Sequence, residues 1–127
     1  MWIAKNGKLI HSTDESRIHF RTTINQDILK ELQQVAKDND THVNYLLETG
    51  FEKLIEHNSI DYNKLPRTNP KNRKLYSTTY DDYLLLEIKR IAEREHLHVN
   101  QVIEYCSTLI DVDKAKHKSY RFRVEKG

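Results

Sequence analysis

Displaced by 56 residues, the chain matches itself without a gap: positions 17–51 align with 73–107, and ten of these 35 pairs are identical. The identities are Arg17/Arg73, Thr22/Thr78, Thr23/Thr79, Leu29/Leu85, Glu31/Glu87, Ala36/Ala92, His42/His98, Val43/Val99, Asn44/Asn100 and Glu48/Glu104. Apolar character also matches at Phe20/Tyr76, Ile24/Tyr80, Leu32/Ile88, Val35/Ile91, Leu46/Val102 and Leu47/Ile103. Two copies are too few for a solenoid, which needs several repeats to bury a continuous core. They predict a duplicated unit whose copies pack on each other.

Within each copy the hydrophobic period changes once. Residues 17–24 alternate, with Ile18, Phe20, Thr22 and Ile24 on one face and Arg17, His19, Arg21 and Thr23 on the other. That pattern predicts a half-buried strand. From Asn25 the period becomes helical, and Ile28, Leu29, Leu32, Val35 and Ala36 mark one face. The polar run Asp38-Asn39-Asp40-Thr41 breaks this helix, with Thr41 a candidate cap for the next. A second helix follows, with Val43, Leu46, Leu47, Phe51, Leu54 and Ile55 as its apolar face. The second copy repeats the order: Tyr76, Thr78 and Tyr80 inward on the strand, then Leu84, Leu85, Ile88, Ile91 and Ala92. A break at Glu95-His96-Leu97 follows, then Val99, Val102, Ile103, Cys106, Leu109 and Ile110.

A lone unit of about 40 residues buries too little surface to be stable, and a lone strand leaves its ladder groups unpaired. Pairing the two strands antiparallel with four helices behind them meets both needs. The predicted fold is therefore α+β, mainly α. Residues 17–57 form the first unit, 58–72 (with Pro66 and Pro70) the linker, and 73–111 the second unit. Residues 1–16 form an N-terminal extension in which Asn6-Gly7 between apolar residues signals a hairpin. Residues 112–127 are a basic tail in which Ser119–Val124 alternates like a strand. Hairpin and tail together would make a small accessory sheet presenting Lys5, Lys8, Arg121 and Arg123, and a frayed basic tail is an equal reading.

Charge is segregated. Residues 59–80 hold five Lys/Arg against one acid and residues 111–127 six against three, whereas 25–58 hold three against seven. A polyanion is drawn to the first kind of segment and repelled by the second. The single Cys106 excludes an internal disulfide framework and fits a reducing compartment, and its place on an apolar helix face reads as packing. The first residues are neither a signal peptide nor a membrane anchor, which points to a cytoplasmic protein with no membrane partner. His96 and His98 lack the spacing of a metal pair, and Asp81 and Asp82 suit a helix start better than acid–base chemistry. With no phosphate loop or nucleophile motif, the chain is expected to be no enzyme and to need no cofactor or metal.

Strand, short helix, polar turn and longer helix, with Val-Asn just inside the second helix, resemble the ribbon-helix-helix superfamily of Arc, Mnt and MetJ. The resemblance rests on Leu32-Gln33-Gln34-Val35-Ala36 with His42-Val43-Asn44, and on Ile88-Lys89-Arg90-Ile91-Ala92 with His98-Val99-Asn100. It covers both copies, about 70 residues. The family dimerises to bind DNA; two units on one chain are similar to the TraY-type proteins of conjugative plasmids. The resemblance implies an intramolecular pseudo-dimer that reads the major groove of double-stranded DNA with outward strand side chains: His19, Arg21 and Thr23, and Leu75, Ser77 and Thr79. It implies phosphate contacts from His42, Val43 and Asn44 and from His98, Val99 and Asn100, which physics favours because helix N-termini offer free N–H groups. Lys71 and Arg73 would add phosphate contacts.

Arg21 is the strongest base-contact candidate, because arginine binds guanine bidentately. Thr23, Ser77 and Thr79 read equally well as ordinary strand residues, and Asn44 and Asn100 as helix-start residues chosen for local hydrogen bonding. Leu75 could only touch a thymine methyl, and the family prefers Ser or Thr where this chain has His42 and His98. The expected function is a transcriptional regulator, nucleoid-associated and able to self-associate cooperatively on DNA. The alternatives are a relaxase-associated origin-binding protein of a mobile element, or an antitoxin or adaptor holding a protein partner such as a toxin.

Overall fold

The computed structural model describes residues 17–67, 69 and 71–120, and the backbone of 2–5 and 8–11. The element order is β1 (Trp2–Lys5), β2 (Lys8–His11), β3 (Arg17–Asn25), α1 (Gln26–Asp38), α2 (Val43–His57), β4 (Arg73–Asp81), α3 (Asp82–Glu95) and α4 (Val99–Cys106). The chain is α+β and mainly helical. β1 pairs antiparallel with β2, as the Asn6-Gly7 signal predicts, and β3 pairs antiparallel with β4. Residues 112–120 form no strand, so the predicted tail strand is not found at Ser119 and Tyr120; its remainder, 121–124, lies outside the described residues.

The β3–β4 register carries the sequence repeat into space. Arg17 pairs with Asp81, Asn25 with Arg73, and Arg21 with Ser77 at the middle. Positions related by the 56-residue displacement are thus exchanged about the Arg21–Ser77 pair. The helices behind the ribbon start and stop by matched devices. Asn25 Oδ1 accepts the Ile28 N–H at 3.0 Å and Asp81 Oδ1 the Leu84 N–H at 3.2 Å, each covering an orphan donor of a first turn. Both first helices end on a left-handed residue two places before the next N-cap, Asp40 (φ 51°) and His96 (φ 56°). There Thr41 N–H and Leu97 N–H return to Ala36 O and Ala92 O, at 3.0 and 2.9 Å.

The core lies between ribbon and helices. Ile24, Leu29, Leu32, Leu46, Leu47, Phe51, Leu54, Tyr80, Leu85, Ile88, Val102, Ile103 and Cys106 are buried in one cluster. Burial pushes the Cys106 thiol far above its ordinary range, which fits a packing role. Ile18, predicted to be buried, stays 43 % exposed near the ribbon end, where it lines an open groove with Tyr83, Leu85 and Leu86 of α3. Thr41 does not cap α2; the N-cap there is His42, and the Thr41 hydroxyl donates to Lys116 O instead.

The repeat runs further than the gapless match. After α2, Ile60-Asp61-Tyr62-Asn63-Lys64 resembles Ile110-Asp111-Val112-Asp113-Lys114, now displaced by 50 residues. Each segment is a 3-10 turn opened by its Asp, whose carboxylate accepts the N–H two residues on, at 3.0 and 3.1 Å. Each such arm leans on the other copy. Asp61 N–H donates to the Tyr105 hydroxyl at 3.1 Å, and Asp111 N–H to the Thr49 hydroxyl at 2.8 Å.

Candidate nucleic-acid interface

The face of the ribbon turned away from the helices carries the candidate base-reading residues. His19, Arg21, Thr23, Leu75 and Ser77 are exposed and Thr79 is half-buried. The register sets His19 opposite Thr79, Arg21 opposite Ser77 and Thr23 opposite Leu75. The His19 ring Nε2 lies 2.7 Å from Ser77 Oγ. The Arg21 side chain makes no hydrogen bond or ion pair with the described residues and is exposed at the centre of the face.

The two ends of the ribbon are built differently from its centre, and alike. Arg17 donates from Nε to the Thr79 hydroxyl (3.1 Å) and from a terminal nitrogen to Thr79 O (3.0 Å) and to Glu48 (3.1 Å). Glu48 accepts the Asp81 N–H at 2.7 Å. At the other end Arg73 donates to the Thr23 hydroxyl (3.1 Å), to Thr23 O (2.8 Å) and to Glu104 (2.6 Å), while Glu104 accepts the Asn25 N–H at 2.7 Å. Arg17/Arg73, Thr23/Thr79 and Glu48/Glu104 are identical pairs of the repeat, so one polar network is made twice. Burial lifts Glu48 above the usual carboxylate range, against the opposing pull of Arg17, the Asp81 N–H and Lys116.

This network changes what several candidate residues have to offer. Arg73 spends its charge on Glu104 inside the molecule, and Thr23 and Thr79 receive arginines. Asn44 Nδ2 donates to Thr79 O at 2.9 Å, and Asn100 Nδ2 lies 3.5 Å from the Thr23 hydroxyl, with its Oδ1 buried and unpartnered. Val43 is buried and can present only backbone. His42 and His98 are exposed; His42 stacks near Tyr45 at 5.4 Å between ring centres, and the His98 N–H is taken by Gln101 Oε1 at 2.8 Å. Lys71 is exposed just before β4.

The arms add residues that periodicity did not single out. Arg67, beyond the first arm, lines an open groove with Arg73, His98 and Asn100. Lys116, beyond the second arm, stands over the rings of Tyr45 and Tyr120 at 5.9 and 4.8 Å. The two buried glutamates were also missed as a site, although a usable signal existed: Arg17 and Glu48 are both identical with their counterparts, and they are opposite charges.

No helix among the described residues is long and apolar enough to cross a membrane. The chain matches no family model, no curated protein and no solved structure.

Proposed function

We propose that the chain is a sequence-specific double-stranded DNA-binding protein, a single-chain ribbon-helix-helix pseudo-dimer that acts as a transcriptional regulator. The observation that carries this reading is Arg21, exposed and with no side-chain partner among the described residues, at the middle of a two-stranded ribbon, while Arg17 and Arg73 are neutralised by Glu48 and Glu104. A two-stranded ribbon fits the major groove, where arginine pairs bidentately with guanine O6 and N7. Ser77 opposite Arg21 and Leu75 opposite Thr23 make the two halves of the reading face unequal, so the preferred subsite is non-palindromic. Leu75, 50 % exposed, suits a thymine methyl.

Selection of bound sites from random DNA tests the reading, and no retardation of any DNA at low salt refutes it. On the selected site, Arg21→Ala costs about 1–3 kcal/mol and relaxes one base position. An equal loss on every sequence would show that Arg21 meets phosphate rather than a base. Lys71→Gln weakens all sequences alike and reduces the slope of log K against log salt by about one.

A further inference from the structure

The surface beside the start of the ribbon differs between the two copies in a way that their shared fold does not require. Beside the start of α3, Ile18 from the first copy's strand and Tyr83 and Leu86 from the second copy's helix are exposed by 43, 58 and 54 % and line one shallow groove with Leu85 and Lys89. The counterparts of Ile18, Tyr83 and Leu86, related by the 56-residue displacement, are Lys74, Asp27 and Lys30. The place is apolar beside the start of α3 and charged beside the start of α1.

The first copy shows what covers this place. Asn72, the residue before β4, lies over the start of α1: its C=O accepts the Gln26 N–H at 2.9 Å, and its Nδ2 donates to Asp27 at 2.9 Å. A polar entering segment meets a polar surface. Arg17 pairs with Asp81, so the chain enters β3 beside the start of α3, where Tyr83 replaces Asp27. The entering segment is the N-terminal extension, which contains Trp2, Ile3, Leu9 and Ile10 and pairs Ile3 with Ile10 and Ala4 with Leu9. Residues 12–16 limit its distance from Arg17 to about 20 Å. A two-stranded hairpin alone in water is marginal, and an exposed apolar patch asks for a cover.

We propose that the hairpin Trp2–His11 docks on the Ile18–Tyr83–Leu86 surface of its own chain. This holds whether or not the ribbon binds DNA. Trp2 is the chain's single tryptophan and reports the docking directly. In the full chain, Trp2 emission is blue-shifted and poorly quenched by acrylamide, and the amides of β1 and β2 are protected. The double change Tyr83→Asp with Leu86→Lys installs the first copy's residues at exposed positions. It moves Trp2 emission to that of a solvated indole and lowers amide protection in β1 and β2 about tenfold, with the unfolding midpoint of the rest retained. Leu86→Gln alone shifts both readouts in the same direction by less. Solvent-like Trp2 in the unaltered chain, or blue-shifted Trp2 that ignores both variants, overturns the proposal. A blue shift that grows with protein concentration alongside a sedimenting dimer also overturns it, because the surface then joins two chains.

Discussion

Glu48→Ala lowers folding stability by about 3–5 kcal/mol, read as a fall in the denaturation midpoint at unchanged slope. The Arg17 and Glu48 side chains are each only 5 % exposed. Removing the carboxylate leaves a guanidinium charge where water reaches poorly, and it orphans the Asp81 N–H as well. Glu104→Ala makes the same chemical change at the other ribbon end and costs less. There the Arg73 side chain is 18 % exposed beside an open groove, so water can replace the lost partner. The order of the two costs is the sharper part of the expectation, since a repeat that were equivalent in energy as well as sequence would give equal values.

The raised pKa of Glu48 adds a pH signature with a defined sign. A carboxyl that holds its proton more tightly when folded favours folding while protonated. Its contribution is present below the ordinary carboxylate value and is lost as pH climbs through the raised one. Glu48→Gln therefore flattens the stability–pH profile across that window, apart from its constant cost. Burial opposes the pull of Arg17 on Glu48, and a buried ion pair in general adds little net stability because desolvation offsets its attraction. The evident work of this pair is register: Arg17 grips Thr79 while Glu48 grips Asp81, which fixes where β4 lies along β3. Joint replacement by Arg17→Met and Glu48→Leu recovers much of the cost of Glu48→Ala, and ribbon register rather than stability suffers.

These networks mark where reading the sequence stops. Strand alternation correctly separated Phe20, Thr22 and Ile24 from His19 and Arg21, and the helical period located the core faces of all four helices. Alternation assigns a side chain to a face but does not say how far along that face a neighbour reaches. Arg17, Thr23, Arg73 and Thr79 share the outer face with Arg21, yet the ends of that face are covered by Glu48 and Glu104 from the second helices. Ile18 fails for the opposite reason, since its place on the inner face opens onto a groove beside α3 instead of being closed over. The arms escaped because the displacement shrinks from 56 to 50 residues once α4 stops short of the length of α2, so a gapless comparison ends before reaching them. His19, Arg21, Leu75 and Ser77 at the ribbon centre lie outside these networks, with His19 and Ser77 hydrogen-bonded to each other and Lys71 exposed ahead of β4.

Gly50→Ala is destabilising by roughly 3 kcal/mol, although the same change in an exposed helix interior stabilises by about 1 kcal/mol. Gly50 lies within α2, and its counterpart in the repeat is Cys106 at the end of α4; the two meet where the second helices cross. A Cβ on Gly50 would stand 2.2 Å from Cys106 O and 3.0 Å from Cys106 C. Backbone cannot rotate aside as a side chain can, so the helices must part. Leu46, Leu47, Phe51 and Leu54 on one side and Val102 and Ile103 on the other are fully buried and would lose contact together. The cause can be separated from ordinary overpacking by trimming the neighbour. Because the obstacle is the Cys106 carbonyl, Cys106→Ala does not rescue Gly50→Ala, and the two costs add. Rescue by that change would instead place the clash on the Cys106 sulfur, because alanine keeps the Cβ that lies at 3.2 Å. Additivity, together with loss rather than gain of helix stability at a glycine, would locate the steric limit between the two second helices at Gly50 and the Cys106 carbonyl.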